Sequence, residues 1–273
     1  IMEVTNNTMT NAGTQDVIVS LKDKDNYEWV DGTTEDKKVE WTINKIKPIV
    51  TVNPTSGSVN FNAIESFTAT TNSTVSVEGT LTATSENTTY VTISEGASTS
   101  ITATNEGVAT TIKYKGARYT TTARAITVTF TPTDTTNFET ATATYSVTNV
   151  NKIANTIKVK ANTLTYTGEA QTLVTTSNAR GTVYYSTETE LTESNYLDLG
   201  STTIPTGTNA GTYTVYYYAI GNINYTPKAG SIDVTIAKAQ LTGTVTISGT
   251  NTYGSTLSSE VTDLNVENAE ITY

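Results

Sequence analysis

Apolar and polar residues alternate along most of this chain with a period of two, the spacing of a strand that buries one face. Val17, Val19 and Leu21 fall on one side of one such run; Val215, Tyr217 and Ala219 fall on one side of another. No stretch carries apolar residues at i, i+3, i+4 and i+7 over three turns, so the pattern predicts strands throughout and almost no helix. Gly and Asn punctuate the runs at Glu95-Gly96, Asn105-Glu106-Gly107, Lys115-Gly116, Thr167-Gly168 and Gly207, where turn chemistry ends strands.

The alternation is also repeated. Asn11-Ala12-Gly13-Thr14 leads through Val17-Ile18-Val19 to Asn26-Tyr27 and closes on Trp41-Thr42-Ile43-Asn44-Lys45. Asn209-Ala210-Gly211-Thr212 leads through Val215–Tyr218 to Asn224-Tyr225 and closes on Val234-Thr235-Ile236-Ala237-Lys238. The two copies align without a gap from Asn-Ala-Gly to Asn-Tyr. A third, weaker copy runs from Thr127 through Asn137-Phe138 to Lys152. Repetition of a strand pattern means tandem β modules.

Four segments follow from this register. Residues 1–47 match only the closing part of the repeat. Residues 48–152 hold eight strand-like runs, opening with Ile49–Val52 before a Pro54-Thr55-Ser56-Gly57 turn. The other seven are Ser66–Thr70, Val75–Ala83, Tyr90–Ser94, Thr99–Thr104, Thr110–Tyr114, Ala125–Thr131 and Ala141–Val147. Residues 153–238 hold seven: Ile157–Lys160, Leu164–Tyr166, Gln171–Thr175, Thr182–Ser186, Thr202–Ile204, Thr212–Ile220 and Ser231–Ile236. Seven short strands are the count of a minimal immunoglobulin-like sandwich. Residues 239–273 open a further unit, with strands expected at Leu241–Gly249, from Tyr253 and near Ile271–Tyr273. The fold class expected is all-β, with tandem Ig-like β-sandwich domains arranged end to end. The junctions near Lys47, Lys152 and Lys238 contain no Gly/Ser run, which suits a semi-rigid rod. Both end segments are expected to leave an apolar face and a strand edge open, either as truncated repeats or as strand-complementing ends of a filament.

Composition narrows the function. Thr supplies roughly a quarter of the residues, and its branched Cβ favours strands. The net charge of −10 argues against nucleic acid and against anionic lipid, both of which need clustered Lys and Arg. Cys and His are both absent. That removes a disulfide frame, the commonest general base and the commonest zinc ligand. No apolar run is long enough to span a membrane, and any export signal or anchor is expected outside this sequence.

The motifs are read mainly as structure. Asn-Ala-Gly supplies a tight turn, with Gly at φ > 0 and the Asn side chain capping it. The Asn-Tyr/Phe pairs place an aromatic ring at the bottom of each core. Asp23, Asp25, Asp31, Glu35 and Asp36 cluster in one hairpin, but their spacing matches no calcium loop, so a solvated loop is expected. No nucleophile–His pair, phosphate loop or zinc spacing occurs, so no catalytic residue, metal ligand or cofactor is assigned. The one candidate binding surface is aromatic. Strict alternation turns Tyr216 and Tyr218 outward with Tyr184 beside them, three rings on one sheet face where a glycan or protein could stack. Ordinary cross-strand pairing on a solvated sheet is the competing reading.

Asn11–Lys45 and Asn209–Lys238 resemble the bacterial Ig-like repeats found in tandem in large surface and secreted proteins. The shared pattern is Asn-Ala-Gly-Thr, an alternating strand, Asn-Tyr, then a Thr-Ile strand ending in Lys. Pro132-Thr133-Asp134 before Asn137-Phe138 resembles the end of a related repeat, and Tyr253–Leu257 the opening of another. The resemblance implies a non-catalytic stalk or adhesin segment on a bacterial surface or secreted from it. Its partners would be neighbouring repeats and a host or bacterial surface glycan or protein. The alternatives are a glycan-binding accessory region of a secreted carbohydrate-active enzyme and a subunit of a strand-complemented filament.

Overall fold

The computed structural model describes residues 1–248, 252–254 and 258–262. Alternation produces strands almost everywhere it occurs, and the fold is all-β with Ig-like sandwich character. The chain divides into two compact units, Ile1–Ile153 and the part that begins at Ala154.

The first unit opens with a three-stranded antiparallel sheet, β1 (Met2–Thr5), β2 (Gly13–Leu21) and β3 (Lys37–Ile43), in the order β1-β2-β3. Its register sets Met2 opposite Leu21, Val4 opposite Val19 and Val17 opposite Val39. Directly opposed residues share a face, so these six make one apolar side. Met2, Val4 and Val39 stay exposed there.

A two-layer sandwich follows. One layer runs β4 (Ile49–Asn53), β6 (Ile64–Asn72), β10 (Val108–Gly116), β8 (Val91–Glu95). The other runs β5 (Ser56–Asn60), β12 (Ala141–Asn151), β11 (Arg124–Pro132), β7 (Val77–Ser85), β9 (Ser98–Ala103). All pairings are antiparallel except β5 with β12, which is parallel. β5 lies partly where the sequence reads a turn: the chain leaves β4 through Pro54 and crosses to the second layer. In β11, Ile126, Val128 and Phe130 are fully buried while Thr127 and Thr129 face outward, the expected Thr-out alternation. The centre of the core is aromatic. Phe67 stacks on Tyr145 at 4.1 Å, and the buried Tyr114 and Tyr145 hydroxyls bond each other at 2.8 Å. Burial, reinforced by that bond, pushes the Tyr114 hydroxyl's pKa upward.

The second unit is built from smaller sheets. β14 (Leu164–Thr165), β20 (Lys228–Ala237), β19 (Gly211–Ala219) and β17 (Val183–Ser186) form one in that order. β13 (Lys158–Ala161) pairs with β16 (Val174–Ser177), and β15 (Gln171–Thr172) with β18 (Thr206–Gly207). Leu173, Val174, Tyr185, Val215, Val234 and Ile236 form the core between the layers. The sequence reads a strand at Thr202–Ile204. The chain instead makes one turn of helix, α1 (Tyr196–Leu199), before the short β18. β21 (Thr244–Ser248) and β22 (Ser258–Thr262) form an antiparallel hairpin. The strand expected near Ile271–Tyr273 lies outside the described residues.

The Tyr114–Tyr145 pair yields a measurable expectation. Tyr145→Phe leaves the Tyr114 hydroxyl buried without a partner and should cost about 1–3 kcal/mol. Removing the second hydroxyl as well leaves nothing unsatisfied, so Tyr114→Phe/Tyr145→Phe should be no less stable than either single variant. Urea unfolding of the four chains measures this; strictly additive losses would contradict it.

Candidate functional site

The three tyrosines singled out by alternation do share a face. The register sets Tyr184 opposite Tyr218 and Ser186 opposite Tyr216, with Val215 and Tyr185 turned into the core. The face is not open, however. The loop after β17 folds back over it, anchored by the fully buried Leu191, and α1 lowers Tyr196 between the rings. Tyr196 stacks on Tyr218 at 4.8 Å and meets Tyr184 edge-on at 4.9 Å. Tyr218 is left only 5% exposed, and burial raises its hydroxyl's pKa. The exposure expected for this face is thus corrected. Alternation identifies the face a side chain takes; it is silent about a loop from elsewhere that covers that face. Tyr216, half-buried, keeps some access.

Two acids of the hairpin, Asp31 and Asp36, are paired with lysines of the same hairpin. Asp31 pairs with Lys37 at 2.5 Å, and Lys37 and Thr33 hydrogen bonds bring its pKa down to about 2. Asp36 pairs with Lys24 at 3.3 Å. Among the described residues no group of three or more His, Cys, Asp or Glu could hold a metal ion.

The most densely bonded surface feature joins the β1–β3 segment to the sandwich after it, inside the first unit. Asp134 opens a turn whose carboxylate accepts from the backbone N–H of Thr136 at 3.0 Å and of Asn137 at 3.1 Å. Its second oxygen accepts from Asn137 Nδ2 at 2.8 Å, which fixes the orientation of the Asn137 amide. The oriented amide then reads the Asn-Ala-Gly turn. Asn137 Oδ1 accepts from the Ala12 N–H at 2.7 Å, and Nδ2 donates its other hydrogen to Asn11 Oδ1 at 3.2 Å.

The linker completes the contact. Lys45 Nζ donates to the Thr135 carbonyl at 2.6 Å. The Ile46 N–H donates to the Asn137 carbonyl, and the Glu139 N–H to the Ile46 carbonyl, both at 2.8 Å. Ile46 packs against the sandwich core, and Phe138 beneath it is only 8% exposed.

The Asn-Ala-Gly phrase therefore does more than close a turn. Gly13 and Gly211 hold φ of 151° and 155°, a backbone that L side chains rarely adopt, so both copies need Gly at this position. Asn11, read from the sequence as capping its own turn, spends its side chain on the next module instead. The expected core ring is realised at Phe138, whereas Tyr27 is 46% exposed.

No family model matches the chain, and no curated protein matches it. Among solved structures, the fibronectin(III)-like modules of Clostridium thermocellum CbhA are similar at 16% identity over 69% of this chain and 94% of theirs, with a TM-score of 0.24. A chaperone–tip adhesin complex of CFA/I fimbriae is similar at 8% identity over 67% of this chain and 97% of that one, with a TM-score of 0.26.

The junction has a pH signature. The Asn137 side chain and backbone hold the Asp134 carboxyl below its ordinary value of 3.8, with Lys45 adding to the effect. A depressed carboxylate stabilises the folded form above its unfolded pKa and loses that contribution as pH falls through the folded value. Hydrogen exchange at the Ala12 amide, once corrected for intrinsic exchange, should stay slow at the ordinary carboxylate value of 3.8 and accelerate only as pH falls below it. Unchanged Ala12 protection while Asp134 titrates would show that the carboxylate does not orient the lock.

Proposed function

We propose that this chain is a non-catalytic structural stalk segment of a bacterial extracellular surface protein, with neighbouring repeats as its principal partners. The observation that supports this reading is the junction at Asn137. The β1–β3 sheet and the sandwich after it are bonded through both side chains and backbone, and the linker between them pairs with that sandwich rather than crossing solvent. A junction that holds one module in a fixed relation to the next is suited to spacing and presentation. No described helix is long and apolar enough to cross a membrane.

Residual dipolar couplings of the whole chain test the stalk reading. The β1–β3 sheet and the sandwich that follows should fit one alignment tensor, and Asn137→Ala should split it into two. Separate tensors in the unaltered chain would sink the reading, because a flexible junction cannot space anything reliably.

Glycan binding is tested separately. With Tyr196 over Tyr218, the chain should not be retained on a glycan array. Retention that Tyr216→Ser abolishes would move the function to carbohydrate recognition.

A further inference from the structure

The lock at Asn137 has two halves, and each half occurs a second time in the chain. The receiving half is an Asp-x-x-Asn turn followed by an aromatic residue. Asp23-Lys24-Asp25-Asn26-Tyr27 repeats three of its bonds. The Asn26 N–H donates to Asp23 Oδ1 at 3.1 Å and Asn26 Nδ2 to Asp23 Oδ2 at 2.9 Å. The Tyr27 N–H donates to the Asp23 carbonyl at 3.2 Å, as that of Phe138 does to Asp134. The Asp23 carboxyl is held below its ordinary pKa by the same first cause, an Asn side chain. The amide is thus oriented as in the working lock, but among the described residues no Asn-Ala-Gly turn sits on it. Tyr27 lacks the cover that Ile46 gives Phe138, and a shallow groove lined by Lys24, Asp25, Asn26, Tyr27, Glu28 and Thr34 lies alongside.

The inserting half is Asn-Ala-Gly with a Lys at the end of the last strand. Asn209, Ala210 and Gly211 reproduce it, and Lys238 stands where Lys45 does. Among the described residues, the Asn209 side chain and the Ala210 N–H have no partner. They line a groove with Lys238, Ala239, Leu241 and Tyr166.

The chain's third loop of this kind shows that the pairing is selective. There Gly221 replaces the Asp. Its φ is 72°, and an added Cβ would lie within 3 Å of the backbone of Thr226, so no Asp fits. The sandwich of residues 48–152 correspondingly carries Thr122-Ala123-Arg124-Ala125 in place of Asn-Ala-Gly-Thr at the start of its matching strand. Where the inserting turn is missing, so is the Asp-x-x-Asn turn that would receive it.

We propose that the Asp23–Tyr27 turn is a docking site for the Asn209–Gly211 turn and Lys238 of a second copy of this chain, giving head-to-tail association. Charge favours the occupant: Lys238 would approach a loop that carries Asp23, Asp25 and Glu28. The contact is polar and small, so in trans it should be weak, with a Kd on the order of 1 mM. Joined in series or crowded on a surface, the same contact gains from effective concentration. This goes beyond the stalk reading, since a chain that never met a second copy would still serve as a spacer.

The test uses full-length chains, each with one half disabled. Ala210→Pro removes the inserting N–H and leaves the receiver intact; Asp23→Ala disorients the receiver and leaves the insert intact. An isotope-labelled Ala210→Pro chain titrated with unlabelled Asp23→Ala chain should show saturable shifts at Asp23–Tyr27. The converse arrangement, with the Asp23→Ala chain labelled and the Ala210→Pro chain added, should show at least tenfold smaller shifts in that turn. Lys238→Gln in the added chain should weaken the first titration severalfold. No shifts at about 1 mM, equal shifts in the two arrangements, or shifts confined to Met2, Val4 and Val39 would overturn the proposal. The last result would place association on the open apolar face instead.

Discussion

A β-sheet whose strands alternate has one apolar face, and that face must be covered. Most of this molecule follows from how each segment meets that requirement. In residues 49–151 two sheets cover each other, and the space between them is wide enough for Phe67, Tyr114 and Tyr145. The two hydroxyls survive there only because each is the other's partner. In residues 158–237 the sheets are smaller, and the outer face gains a second cover when Tyr196 descends on Tyr184 and Tyr218. In residues 2–43 three strands make the apolar face, and Met2, Val4 and Val39 lie exposed on it.

Polar groups bind the modules where apolar area is small. The ion pairs of the first hairpin are solvent-exposed and contribute little each. The Asn137 lock differs because its amide is oriented before contact. Asp134 spends three accepted bonds on the turn, so little side-chain freedom remains to be lost when Ala12 and Asn11 arrive. A neutral amide then meets a neutral turn, and the linker brings two charges to the contact, Lys45 on the Thr135 carbonyl and Lys47 at 4.0 Å from Glu139.

Long alternating runs were legible in the sequence, and β6, β7, β10, β11, β12, β19 and β20 fall where the pattern places them. β5 was not, because Pro54 and Gly57 carry turn chemistry and the partner that makes the segment a strand, β12, lies about ninety residues onward. α1 is too short for a helical period to register. The face of Tyr218 was readable by counting, but its cover was not, since no local rule says that a loop with Tyr196 folds back. The Asn-Ala-Gly phrase stood out, yet its partner lies 125 residues away. A signal for it was present: Asp stands three residues before Asn26 and Asn137, but Gly stands three before Asn224.

The parallel pairing of β5 with β12, and of β14 with β20, has a mechanical meaning. Each joins an early strand of its sandwich to the last one. When two strands run in the same direction and the chain enters near one and leaves from the other, tension on the ends slides them lengthwise. The hydrogen bonds between them then carry the load together, whereas a hairpin pulled from its open end parts one bond at a time. Each of these two sandwiches thus resists a pull along the polypeptide at the place where the pull would enter it.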